Sequence, residues 1–193
     1  QQDTFDKFLC VAAVPAMRRA GTGPVGVFRR LKEDNPKLEM EADSPDLTVL
    51  IPHKSLESAV GLIERMGQDD AFMSAGQEIL DCPKSAPAYS RFESSLLLAF
   101  DGMPKLEVPS TKDSRVLQLR VYESHSIAKH YKKVEMFNEG GEIEIFRKTG
   151  LNPVFFGQAL IGSKLPNLTY MVGFDDMEAL ENGWKTFVQS PGW

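Results

Sequence analysis

Positive charge is in short supply in this chain. Its 22 Lys and Arg are outnumbered by 27 Asp and Glu, a net charge of −5 over 193 residues. Nonspecific nucleic-acid binding needs a basic surface to neutralise phosphates, so nucleic acid is not an expected partner. Cysteine is scarcer: Cys10 and Cys82 form no disulfide framework and show no metal spacing. Cys10 lies in an apolar helical stripe and reads as a small buried hydrophobe. Long apolar runs are missing too. The nearest, 9–17 and 96–100, fall far short of the roughly 20 residues of a membrane span. No leader-like stretch opens the sequence. The expectation is a soluble chain, cytoplasmic, or exported if a leader precedes residue 1. There is no P-loop and no Gly-x-Ser-x-Gly elbow.

What the chain does have is an internal echo. Gly21-Thr22-Gly23-Pro24-Val25 recurs in outline as Gly150-Leu151-Asn152-Pro153-Val154. Leu47-Thr48 opens an apolar run and Leu168-Thr169 opens another. At that same spacing Gln68 meets Gln189, and Phe72 meets Trp193. The glycine–proline pair is spaced further apart, and the excess falls in the polar stretch 32–45. A repeat this long means two copies of one α+β module. The copies differ at their ends. A strand over 115–123 precedes the first helix of the second copy, and the first copy has no equivalent. A strand within 89–100 closes the first copy, and the second has none before Trp193. One strand is expected before Gln1 and one after Trp193, because a sheet short of a strand exposes its ladder groups.

Along the first copy, Phe5, Phe8, Leu9, Ala12 and Ala16 recur at helical spacing over 3–20, with Pro15 placed to kink the helix and Gly21 to stop it. Strands are predicted over 25–31 and 46–52, around a charged loop at 32–45. Helices follow over 55–66, capped by Ser55, and 70–80. A strand over 94–100 leads into the proline-bearing stretch 101–114, read as a linker. In the second copy, 116–122 alternates: Leu117, Leu119 and Val121 on one face, Gln118, Arg120 and Tyr122 on the other. A helix over 125–148, capped by Ser124, is interrupted by Gly140-Gly141. Strands over 153–161 and 168–174 and a helix over 176–188 complete it. Each finished copy reads strand, helix, strand, strand, helix, strand. The fold class is therefore α+β: two tandem ferredoxin-like modules, 1–103 and 111–193, packed sheet to sheet as a dimeric α/β-barrel. Helices cover one face of each sheet, so the sister sheet is the simplest cover for the other.

Several segments resemble one family. Leu119-Arg120-Val121-Tyr122-Glu123, Asn152-Pro153-Val154-Phe155-Phe156, the strand from Leu168 to Phe174 and Trp184 on the last helix resemble the NIPSNAP signature. The resemblance is strong over 115–193 and weaker over 3–100, where the first copy lacks the Leu-Arg-x-Tyr strand. It implies the dimeric α/β-barrel superfamily, a homodimer, and no established activity. Relatives in that superfamily include cofactor-independent monooxygenases, isomerase-like enzymes and haem proteins, a likeness of fold alone.

The residues offer a short set of candidates. Arg120 and Tyr122 share the presumed barrel face, where a bare charge is expensive. Arg120 needs a carboxylate, for which Glu135 or Glu123 would serve, or an anionic ligand. His125 follows the Arg120 strand and completes the catalytic candidates Arg120, Tyr122 and His125. The ligand-binding candidates are Arg120, Tyr122, Glu135 and Asn138, the last two beside the paired glycines, which suggest close approach by another backbone. Tyr170 reads as core beneath the helices. His125 and His130 are five apart, the wrong spacing for one helical face, so no metal is expected. No cofactor is expected either. Two readings stand: a module that binds a small molecule or a protein, and a cofactor-independent monooxygenase- or isomerase-like enzyme acting on a small anionic or aromatic substrate.

Overall fold

Proline 15 has no N–H to donate, and its ring crowds the carbonyl four residues back. In the computed structural model, which describes residues 2–31 and 45–191, the first helix widens to accommodate it. Helix α1 (Gln2–Phe8) passes into a π-turn (Leu9–Ala13) and then α2 (Val14–Arg19). The Val14 N–H bonds to the Leu9 carbonyl, five residues back. The expected kink is thus a π-bulge. Leu9, Ala12, Ala13 and Ala16 turn inward. Cys10, expected to be buried, is exposed because it sits beside that stripe and not within it.

The chain divides into two units, residues 1–91 and 92–193. In the first, β1 (Gly26–Arg29) and β2 (Leu47–Leu50) form a two-stranded antiparallel sheet. Most of the loop between them, 32–44, and Trp193 of the repeat lie outside the described residues. The helix expected over 55–66 breaks at Gly61 into α3 (Leu56–Val60) and α4 (Leu62–Gly67). Ser55 caps it as expected, its Oγ accepting from the Ser58 N–H at 3.1 Å. Helix α5 (Asp70–Leu80) is capped by Asp69, whose carboxylate accepts from the Phe72 N–H at 3.0 Å and from Arg19 Nε at 2.7 Å. The Arg19 bond holds the Asp69 carboxyl below its usual range. Phe8 and Phe72, ring centroids 6.0 Å apart, join α1 to α5 over a core that includes Leu9, Leu62 and Met66.

The second unit is a four-stranded antiparallel sheet. Its strands are β3 (Leu96–Ala99), β4 (Val116–Glu123), β5 (Asn152–Ile161) and β6 (Asn167–Phe174), in the order β3-β5-β6-β4. Strand β3, which the repeat assigns to the end of the first copy, pairs with β5 here, Leu97 opposite Ala159. The stretch 101–114, expected to be a linker, is tied down. The Glu107 N–H donates to the Val154 carbonyl at 2.9 Å, and its carboxylate takes both Arg147 terminal nitrogens at 2.8 and 2.9 Å. Pro109 lies on Gly173 so closely that a Cβ there would meet its ring at 2.7 Å.

Helices α6 (Ile127–Asn138), α7 (Glu142–Lys148) and α8 (Met177–Val188) cover one side of this sheet's aromatic core. Ser126, not Ser124, caps α6, accepting from the Lys129 N–H at 3.3 Å. Gly140 and Gly141 do not sit inside one helix; they separate two. Gly141 has φ +80°, a left-handed conformation that glycine adopts without the Cβ penalty. The core joins Phe137, Phe146, Phe156, Tyr170 and Phe187, with Phe146 and Phe187 edge to face at 4.9 Å and Phe156 stacked on Tyr170 at 5.1 Å. Among the described residues the architecture is α+β with two antiparallel sheets. Truncating the central ring, Phe146→Ala, should cost about 3–5 kcal/mol, read from urea denaturation midpoints. A loss below about 1 kcal/mol would place this ring outside the cooperative core.

Candidate functional site

Strand β4 pairs with β6 along its whole length, with Arg120 opposite Tyr170 and Tyr122 opposite Leu168. Cross-strand neighbours share a face. Tyr170 and Leu168 are fully buried in the aromatic core, so Gln118, Arg120 and Tyr122 point to the helix side. This reverses the expected facing. Leu119 and Val121, expected under the helices, are 40% and 47% exposed. Alternation separated the two groups correctly but could not say which group the helices would cover.

On that face the polar groups satisfy one another. The Gln118 Oε1 accepts from Trp184 Nε1 at 2.7 Å. Tyr170 Oη donates to Tyr122 Oη at 3.0 Å, the rings meeting edge to face at 5.3 Å. Burial first, then the Tyr122 hydroxyl, raises the Tyr170 phenol above its usual range, which keeps it a donor. Arg120 meets no carboxylate among the described residues. Its guanidinium lies over the Trp184 ring at 4.8 Å and the Tyr122 ring at 5.5 Å. The expected pairing with Glu135 or Glu123 is replaced by cation–π contact, which suits a flat, weakly hydrated guanidinium. The Lys133 ammonium lies 5.3 Å from the same Tyr122 ring.

An open cleft of about 500 Å³ lies where β4 runs into α6. Tyr122, Glu123, Ser124, His125, Lys129 and Lys133 line it. Two sequence candidates, Tyr122 and His125, therefore meet here, and Arg120 reaches it through the Tyr122 ring. Glu135 and Asn138 do not line it. Glu135 is exposed and paired with Lys132 at 2.6 Å. The Asn138 Oδ1 accepts from the Gly102 N–H at 2.9 Å, a tie between α6 and the turn after β3. His130 is buried against Tyr131, and its Nδ1 has no hydrogen-bond partner among the described residues. Among the described residues no group of three or more His, Cys, Asp or Glu gathers as for a metal, and no helix is long and apolar enough to cross a membrane.

Lys129 and Lys133 went unnoticed in the sequence, although they stand four residues apart on α6 and share a helical face, with His125 just ahead of the Ser126 cap. Glu142 carried no such signal. An acid in the first turn of a helix is ordinarily solvated, yet this one is 4% exposed and its Oε2 has no hydrogen-bond partner among the described residues. Burial raises its pKa, and the charge of Lys133 opposes that shift without cancelling it. Gly21-Thr22-Gly23-Pro24-Val25-Gly26 has dinucleotide-loop spacing, but it follows a helix and precedes a strand, the reverse of the order such a loop requires.

The fold and cleft define a mixed α+β protein with a cation-lined surface site at the end of an edge strand. Residues 117–193, which carry that strand, match the NIPSNAP family model. No curated protein matches the chain.

Two measurements probe this cluster. The folded chain retains the Glu142 proton to a higher pH than the unfolded chain does. Its stability contribution is therefore fully present below the ordinary carboxylate pKa and is lost as pH rises through the raised value. Glu142→Gln should thus stabilise by about 1–2 kcal/mol near pH 8 and by little near pH 4. An equal effect at both pH values would contradict burial of an ionising carboxyl. Arg120→Ala should cost about 1 kcal/mol, the scale of cation–π contact, in chemical denaturation. A loss of about 3–5 kcal/mol would mean that a buried ion pair had been broken.

Proposed function

We propose that this chain is a NIPSNAP-like module that binds a small molecule in the cleft between β4 and α6. The observation that carries the reading is the cleft itself. It has the size of small-ligand sites, an aromatic wall in Tyr122, and polar groups converging from strand and helix. The Tyr122 hydroxyl is held by buried Tyr170 and its ring lies beside two cations, so the wall is rigid before any ligand arrives. The same reading takes the chain as a tandem of two ferredoxin-like modules, 1–103 and 111–193, forming a dimeric α/β-barrel and associating as a homodimer. Its support is the internal echo and the strand, helix, strand, strand, helix order from β4 to α8. No cofactor enters this reading.

The test is an amide NMR titration with benzoate and, separately, benzyl alcohol. Saturable shifts confined to 121–133 and the Trp184 side-chain N–H are expected with at least one probe, and Tyr122→Ala should remove them. Saturable shifts centred elsewhere, or shifts unchanged in Tyr122→Ala, would overturn the assignment.

A further inference from the structure

We infer that the cleft selects a phosphate oxyanion, carried by a small phosphate ester or by a lipid headgroup. This rests on the small-molecule reading above and names its ligand class. Lys129 and Lys133 stand four residues apart on α6, so their stems leave the helix about 6 Å from one another on one side. Both line the cleft, together with Ser124 and His125. Among the described residues neither lysine has a carboxylate at ion-pair distance. By contrast Lys132, the neighbour of Lys133, is paired with Glu135 at 2.6 Å, and Lys148 with Glu144 at 2.7 Å.

Lys133 is half-buried, with its ammonium over the Tyr122 ring. The acid whose charge acts on it, Glu142, is buried, and its raised pKa favours the neutral form. Glu123 is the one carboxylate in the lining. Two ammonium groups and an imidazole then face one acid. A tetrahedral group with several acceptor oxygens can take a charge-assisted bond from each lysine at once and also accept from Ser124 or His125. A neutral ligand would leave both lysines unused.

The experiment is titration of the full chain with inorganic phosphate at low salt, followed by amide NMR. Saturable shifts at His125, Lys129 and Lys133 are expected. The double variant Lys129→Ala/Lys133→Ala should weaken binding by about tenfold or more, the scale of losing one charge-assisted bond. Lys105→Ala, an exposed lysine outside the cleft, should leave it unchanged. Co-sedimentation with phosphatidylcholine vesicles containing phosphatidic acid separates the sources. Vesicle binding that the double variant loses supports a headgroup, and phosphate binding without vesicle binding supports a soluble ester. Neither saturable phosphate binding nor vesicle binding, or either one unchanged in the double variant, overturns the inference. Benzyl alcohol binding in the cleft without any phosphate response would sink the oxyanion while leaving the small-molecule reading intact.

Discussion

The second unit depends on one constraint: an aromatic core on a single face of a four-stranded sheet. Phe137, Phe146, Phe156, Tyr170 and Phe187 each touch at least one other ring at 4.9–5.9 Å, so no one of them can turn away without opening a void. Tyr170 brings a hydroxyl into that core, and a buried hydroxyl needs a partner. Cross-strand register supplies Tyr122. Pairing β4 with β6 so that Arg120 lies opposite Tyr170 orients the strand, and the orientation then carries Gln118, Arg120 and Tyr122 to the helix side together.

The site inherits its character from that placement. Arg120 is half-buried on a face made largely of rings, and it takes ring faces in place of a carboxylate. Trp184 serves four neighbours: its N–H bonds Gln118, its face meets Arg120, and its ring packs near-perpendicular to those of Phe146 and Phe187. The cleft is the wet margin of a dry core. Tyr122 belongs to both, with its ring packed against the core and its outer side lining the opening. Nearby, the buried Glu142 carboxyl feels the Lys133 charge, and burial raises its pKa.

Much of the fold was legible in advance. The helices over 70–80 and 176–188 and the strands over 153–161 and 168–174 were readable because period and punctuation agree in each. The Ser55 cap was readable from its place before an apolar-periodic stretch. The departures are local contests. Pro15 bulges its helix because neighbouring turns could absorb the missing bond more cheaply by widening than by breaking. Ser126 outcompetes Ser124 as cap because α6 starts later than the periodicity suggested. Residues 101–114 look like a linker by composition, but their backbone and Glu107 are bound to β5 and α7.

By itself the sequence determined the α+β class, the alternation that sets Arg120 and Tyr122 apart from Leu119 and Val121, and the likeness to NIPSNAP over the second half. All of these are local or periodic properties, written in the order of residues. Only the tertiary structure decided which face of β4 the helices cover, that Arg120 is met by rings, that Glu142 is buried, and that strand and helix open into a cleft between Tyr122 and Lys133. Each of these depends on which distant segment fills the neighbouring space. Register, burial and cross-strand contact are long-range quantities, and alternation along one strand does not say which of its two faces the core will claim.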